Sequence, residues 1–73
     1  MPTKIRKLTD FTGDAALYLL DDGSYVIASS VVDVYSGPET LVFASNEDGD
    51  VTSWNEIGGG RGYLDHKEAL ASL

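Results

Sequence analysis

Few groupings in this chain combine residue types and spacing that chemistry could use. Gly58-Gly59-Gly60-Arg61-Gly62 precedes a stretch with helix character, an arrangement in which backbone amides can cradle a phosphate. It carries neither Gly-Lys-Ser/Thr nor G-x-G-x-x-G, and no parallel βαβ pattern surrounds it. Asp65 would also put a carboxylate where the phosphate should sit, so the run reads as a flexible connector. Asn46-Glu47-Asp48-Gly49-Asp50 has calcium-loop composition. Aligning Gly49 with the EF-hand glycine places Ala44 and Asn55 at two ligand positions they cannot fill. That leaves at most a weak surface site, and a solvated turn is the expectation. His66 is the only histidine and there is no cysteine. A zinc site would need three more ligands from carboxylates or a second chain, so His66 is expected on the surface at a helix N-terminus. Seven serines lack the G-x-S-x-G pattern of a nucleophile elbow. Trp54 and Tyr18, Tyr25, Tyr35 and Tyr63 have no interleaved cations for base stacking, which makes them packing residues. The residues imply no catalytic, cofactor-binding or metal site.

Charge is more informative. The 73 residues carry a net charge of −7. Residues 1–9 hold Lys4, Arg6 and Lys7 and no acid; residues 10–60 hold ten acids and no lysine or arginine. Nucleic acid needs phosphate-neutralising cations in greater supply than this, so direct binding to it is not expected. Two Asp-Gly pairs, Asp22-Gly23 and Asp48-Gly49, mark hairpin turns. In a meander they fall at the same end of the sheet, with centres roughly 10 Å apart. Asp21, Asp22, Glu47, Asp48 and Asp50 then gather on one rim, a candidate partner-binding edge whose bland counterpart is solubility.

The elements that position this rim follow from apolar patterning. Ala15–Val34 reads as two β-type runs joined by Asp22-Gly23. A two-residue type I′ loop would set Leu20 opposite Tyr25, Tyr18 opposite Ile27 and Leu17 opposite Ala28. One face then carries Tyr18, Leu20, Tyr25, Ile27 and Val31, and the other Leu17, Leu19, Val26, Ala28, Val32 and Val34. Both are apolar, so both should be covered. Thr3–Thr9 is either an edge strand or, with residues 1–9, a mobile arm. Asp10–Asp14 is a loop, with Phe11 tucked onto the core edge. Tyr35-Ser36-Gly37-Pro38 breaks the β pattern and residues 39–45 resume it. A two-residue Asp48-Gly49 loop would set Phe43 against a buried Trp54 and Glu47 opposite Asp50, a like-charge pair that a wider loop relieves. Glu56–Gly62 reads as linker. Asp65 and Glu68 form a capping box before a two-turn helix with Ala69, Leu70 and Leu73 on its apolar side.

The predicted fold is α+β, one small domain: an antiparallel meander of four to five strands with one short C-terminal helix. A small SH3-like barrel is the alternative. The helix is too short to cover a face alone, leaving the other to the N-terminal segment, barrel closure or a second subunit. A homodimer is expected. A chain without cysteine, without an apolar run of membrane-spanning length and without a signal h-region fits the cytoplasm.

Four stretches also resemble a group of small uncharacterised proteins encoded by phages of actinobacteria: residues 9–18 (TDFTGDAALY), residues 36–40 (SGPET), residues 46–52 (NEDGDVT) with Trp54, and Gly62 with Leu64-Asp65-His66. The resemblance implies a phage accessory protein acting in the host bacterial cytoplasm. It brings no activity, cofactor or site residues. The leading functional expectation is a non-enzymatic, acidic protein-interaction module for a protein partner with a basic surface. A self-assembling structural protein is second. An enzyme with carboxylates shared between subunits is third.

Overall fold

β-Branched and aromatic residues dominate the apolar runs, and these form five strands: β1 (Thr3–Leu8), β2 (Asp14–Leu19), β3 (Tyr25–Asp33), β4 (Gly37–Ser45) and β5 (Val51–Arg61), followed by helix α1 (His66–Ala71). The computed structural model describes residues 1–11 and 13–73. Thr12, in the predicted Asp10–Asp14 loop, lies outside them. The strands form one antiparallel sheet in the order β1-β2-β3-β4-β5. This is the α+β meander, with residues 3–8 as an edge strand rather than an arm. The ladder is open, so the barrel alternative is not formed.

The first hairpin corrects the predicted register by one residue. Leu19 pairs with Tyr25, Tyr18 with Val26 and Leu17 with Ile27. The Gly23 amide donates to the Leu20 carbonyl at 3.0 Å, and the Leu20 amide to the Ser24 carbonyl at 2.8 Å. The loop is therefore three residues, Asp21-Asp22-Gly23, with Gly23 alone at positive φ (90°). A type I′ loop needs positive φ at aspartate too, and Asp22 instead spends its carboxylate on the Ser24 amide at 2.9 Å and hydroxyl at 2.7 Å. That side-chain bridge stabilises the three-residue form. One residue of slip exchanges the faces of β2 relative to β3. Tyr18 and Leu20 now share a face with Val26 and Ala28, while Leu17 joins Ile27 and Tyr25. Asn46 and Asp50 close the second hairpin in the same way around Glu47-Asp48-Gly49, so Glu47 and Asp50 are not the predicted opposed pair.

Both faces are buried, by different means. On the first, Val26, Ala28 and Val42 pack against Ala69 and Leu70 of α1, with Tyr18, Leu20 and Tyr63 around them. On the second, Leu8, Ala15, Leu17 and Ile27 are covered by Phe11, Tyr25 and Val51 of the same chain. The sheet curls until β1 lies over the second hairpin turn, where a Cβ on Gly49 would sit 3.0 Å from Arg6 and 3.3 Å from Leu8. The face that sequence left to the N-terminal segment, barrel closure or a second subunit is thus covered by residues of the same chain.

β5 supplies much of the curl. It carries extra residues against β4 at three places between Ser45 and Val42, and bulges bend and twist a strand. They also move Trp54 off the predicted position. Its ring still meets Phe43 edge-on with centroids 5.4 Å apart, and Phe11 at 6.3 Å, but 69% of the residue is exposed. The predicted burial of Trp54 is thus corrected while its contact with Phe43 holds.

The glycine run is not a linker. Gly58, Gly59 and Gly60 are the last part of β5, paired with Val42, Leu41 and Thr40. A Cβ on Gly58 would lie 2.6 Å from Leu73, and one on Gly59 would lie 2.0 Å from the Thr40 carbonyl and 3.2 Å from Ala69. The helix can settle on the sheet because nothing projects there. Ser72 fastens it, its hydroxyl accepting from the Gly59 amide at 2.9 Å. At the other end Asp65 caps α1 by accepting the Glu68 amide at 2.9 Å, and Glu68 reaches back to the Leu64 amide at 3.1 Å. This is the predicted reciprocal cap displaced by one residue.

Candidate functional site

Two three-residue turns at one end of a meander bring the predicted rim residues together. The β2–β3 turn presents Asp21 and Asp22, and the β4–β5 turn presents Glu47, Asp48 and Asp50, all exposed. The local chemistry that shapes each turn also braces it with side-chain hydrogen bonds. In the first, the Ser24 hydroxyl and amide bind the Asp22 carboxylate and hold its pKa below the ordinary aspartate range. In the second, the side-chain oxygen of Asn46 accepts the amides of Asp48 and Asp50, each at 3.0 Å. Asn46 shapes the turn from within, and the acidic side chains are left to solvent. The calcium-like composition is thus that of a hydrogen-bonded turn.

The rim is less unrelieved than the charge pattern along the chain suggests. Curling carries the basic N-terminal strand to this end, where Arg6 donates to the backbone carbonyl of Asp48 and the Met1 amino group to the Asp21 carboxylate. Arg6 engages a carbonyl rather than a carboxylate. Among the described residues Asp22, Glu47, Asp48 and Asp50 form no ion pair with lysine or arginine.

His66 is the residue whose place sequence reasoning misjudged. It is 8% exposed, not a surface residue. Its Nε2 lies 2.8 Å from the backbone carbonyl of Asp14, and its Nδ1 2.8 Å from the Tyr18 hydroxyl. A carbonyl only accepts, so Nε2 carries the proton and Nδ1 of the neutral ring accepts from Tyr18. The Asp14 carboxylate is 3.7 Å from Nε2. Burial, then the nearby Asp14 and Asp65 charges, raise the Tyr18 pKa above its ordinary value, so the phenol is kept protonated and is a poor nucleophile or base. What the trio does plainly is tie α1 to β2 at the edge of the helix-side core. The signal available in sequence was slight: a histidine following the capping Asp65, on the helix side that Ala69 and Leu70 share.

Thr40 is buried and satisfied in the same way, donating to the Tyr63 carbonyl at 2.9 Å with Ser30 at 2.7 Å from its hydroxyl. It anchors the turn between β5 and α1. Among the described residues no group of three His, Asp or Glu side chains is placed to hold a metal ion, and no helix is long and apolar enough to cross a membrane.

Large apolar side chains are exposed at the far end of the sheet. Val32, Val34 and Tyr35, at the β3–β4 hairpin tip, are 80%, 90% and 96% exposed. Asp33 shapes that tip by accepting the amides of Tyr35 at 2.7 Å and Ser36 at 3.1 Å. No family model, curated protein or solved structure matches the chain.

Proposed function

We propose that the chain is a non-enzymatic protein-interaction module whose acidic rim docks on the basic surface of a protein partner. The resemblance to proteins of actinobacterial phages makes it, in this proposal, a phage accessory protein that meets a host protein in the bacterial cytoplasm. The observation that carries the reading is the pair of like-built, side-chain-braced turns holding Asp22, Glu47, Asp48 and Asp50 in solvent without, among the described residues, a lysine or arginine ion pair. A braced loop loses little conformational entropy on docking, and clustered charge steers an oppositely charged partner.

The test uses asparagine at Asp21, Asp22, Asp48 and Asp50 together. Asparagine at position 22 keeps an oxygen for the Ser24 amide, so the turns and the fold should persist while charge is removed. Immobilised wild-type protein should capture a basic protein from bacterial lysate, and capture should fall as salt rises. The fourfold variant, with an unchanged amide spectrum away from the turns, should lose it. Equal capture of the same protein by both would leave the rim as a solubilising edge.

A second reading, self-assembly as a homodimer, is favoured by the exposed Val32, Val34 and Tyr35. These lie at the opposite end from the rim, so the two readings separate cleanly. Sedimentation of the wild type beside a variant with serine at Val34 and Tyr35 would show a dimer dissociating if the tip is its interface. A 7.8 kDa species for both would end that reading.

A further inference from the structure

Met1, Pro2, Tyr18 of β2, and Lys67, Leu70 and Ala71 of α1 line a half-open cavity of about 420 Å³. That volume is in the range of small-molecule sites. Its lining is mostly apolar, with the Tyr18 phenol, the Lys67 side chain and Met1, whose amino group is paired with Asp21, as its polar members. Lys4 is the cross-strand partner of Tyr18 and leaves β1 on the same face. One of the five lysine and arginine residues of an otherwise acidic chain, Lys67, thus lines this cavity, and a second, Lys4, stands opposite Tyr18 on the neighbouring strand.

The polar wall is also wired to a buried group. Because the Asp14 carbonyl fixes the proton on Nε2, the Tyr18 hydroxyl gives its proton to Nδ1 of His66 and has none left for a ligand. It can donate into the cavity only when Nδ1 itself is protonated and donates to the phenol oxygen. We propose that the cavity binds a small apolar monocarboxylate, its tail against Leu70, Ala71 and Pro2 and its head group toward Tyr18 and Lys67, and that binding draws one proton from water onto His66.

The one bond formed is Nδ1–H of His66, and the one broken is that of the solvent or buffer acid that releases the proton. The proton taken up resides on Nδ1, the Nδ1–H donates to the Tyr18 oxygen, and the Tyr18 O–H donates to the carboxylate. The Nε2–H bond to the Asp14 carbonyl is kept throughout. Around the imidazolium, the Asp14 carboxylate of β2 at 3.7 Å from Nε2 and the capping Asp65 of α1 favour the charge. Lys67 of α1, Lys4 of β1 and the Met1 ammonium at the cavity oppose it, and the ligand's own carboxylate offsets them.

Octanoate is the probe, titrated into the 15N-labelled protein at about pH 6 and about pH 8, either side of the ordinary histidine range and with the probe ionised at both. Saturable shifts are expected at Tyr18, Lys67, Leu70 and Ala71, with affinity at least about threefold higher at the lower pH, as linkage to one proton requires. Octanesulfonate, which stays ionised, should show the same pH dependence. Tyr18→Phe should bind octanoate with no pH dependence. Ala71→Trp fills the cavity from an exposed helix position without touching the Tyr18–His66 pair, and should abolish the shifts. Absence of saturable shifts at these residues, equal affinity at the two pH values in the wild type, or binding that survives Ala71→Trp would each overturn the proposal.

Discussion

Each face of the sheet holds a buried cluster, but one is covered by a separate element and the other by the sheet itself. α1 lies on the first face because Gly58 and Gly59 leave room for it and because His66 and Ser72 bond to strands beneath. The second face is closed by curvature, with Leu8, Phe11 and Val51 brought over Leu17 and Ile27 from opposite edges of the ladder. A six-residue helix cannot cover a five-stranded sheet, and strand bulges meet the remaining need without another element or another chain. The same curl carries Arg6 to the acidic rim, so the packing of the second face and the charge of the candidate site are coupled.

Substitutions on each face can break this comparison. The largest effect is expected on the curled face, where Leu17 is fully buried. Leu17→Ala should cost about 4 kcal/mol in urea denaturation, since the curl is held by many contacts and leaves a cavity when one is removed. For a domain of this size that is a large share of total stability. Gly59→Ala comes next on the helix face. Positive φ at an alanine, with a Cβ 2.0 Å from the Thr40 carbonyl of β4 and 3.2 Å from Ala69 of α1, forces β5 away from both β4 and the helix, at about 3 kcal/mol by the same assay. If Gly59→Ala were neutral, α1 would not be seated on bare backbone as described.

A milder lesion sharpens the account of how α1 is fastened. Tyr18→Phe removes the bond to His66 Nδ1 and should cost about 1–2 kcal/mol. It should also alter the alkaline limb of stability. The Tyr18 phenol has a pKa in the folded chain above its unfolded value, so its contribution is complete below about pH 10 and is lost as pH rises through the folded pKa. Urea midpoints followed upward from about pH 9 should fall more steeply for the wild type than for Tyr18→Phe. Parallel curves would mean that the phenol is not held protonated by its surroundings. The smallest effect is expected at Trp54. Because the residue is mostly exposed, Trp54→Ala should cost about 1 kcal/mol rather than the 3–5 kcal/mol of a buried tryptophan. The native emission should already lie near the solvent-exposed position, and a strongly blue-shifted native spectrum would contradict the bulged path of β5.

What could be read from sequence follows local rules. Apolar alternation located β2 to β4, Asp-Gly located both turns, and Asp65 with Glu68 located the start of α1, because each signal acts within a few residues. Register escaped, since the same Asp-Gly pair serves a two-residue and a three-residue loop, and the choice fell to the Ser24 bridge to Asp22. The Gly58–Gly60 strand escaped because glycine disfavours strands locally, and only the approach of Ala69 and Leu73 gives bare backbone a reason there. His66 escaped because its partners, Tyr18 and Asp14, are 48 and 52 residues away. At the candidate rim the residues and their gathering at one end were legible. The arrival of Arg6 was not, because it depends on register shifts in the β1–β2 and β4–β5 ladders.

Isotope-filtered nuclear Overhauser spectroscopy on a mixture of labelled and unlabelled protein shows directly whether one chain closes its own second face. The structure predicts cross-peaks between the Leu8 methyls and Gly49, and between the rings of Phe11 and Trp54, all within one molecule and absent from the intermolecular spectrum. Their complete absence, or their appearance only between labelled and unlabelled chains, would contradict the account.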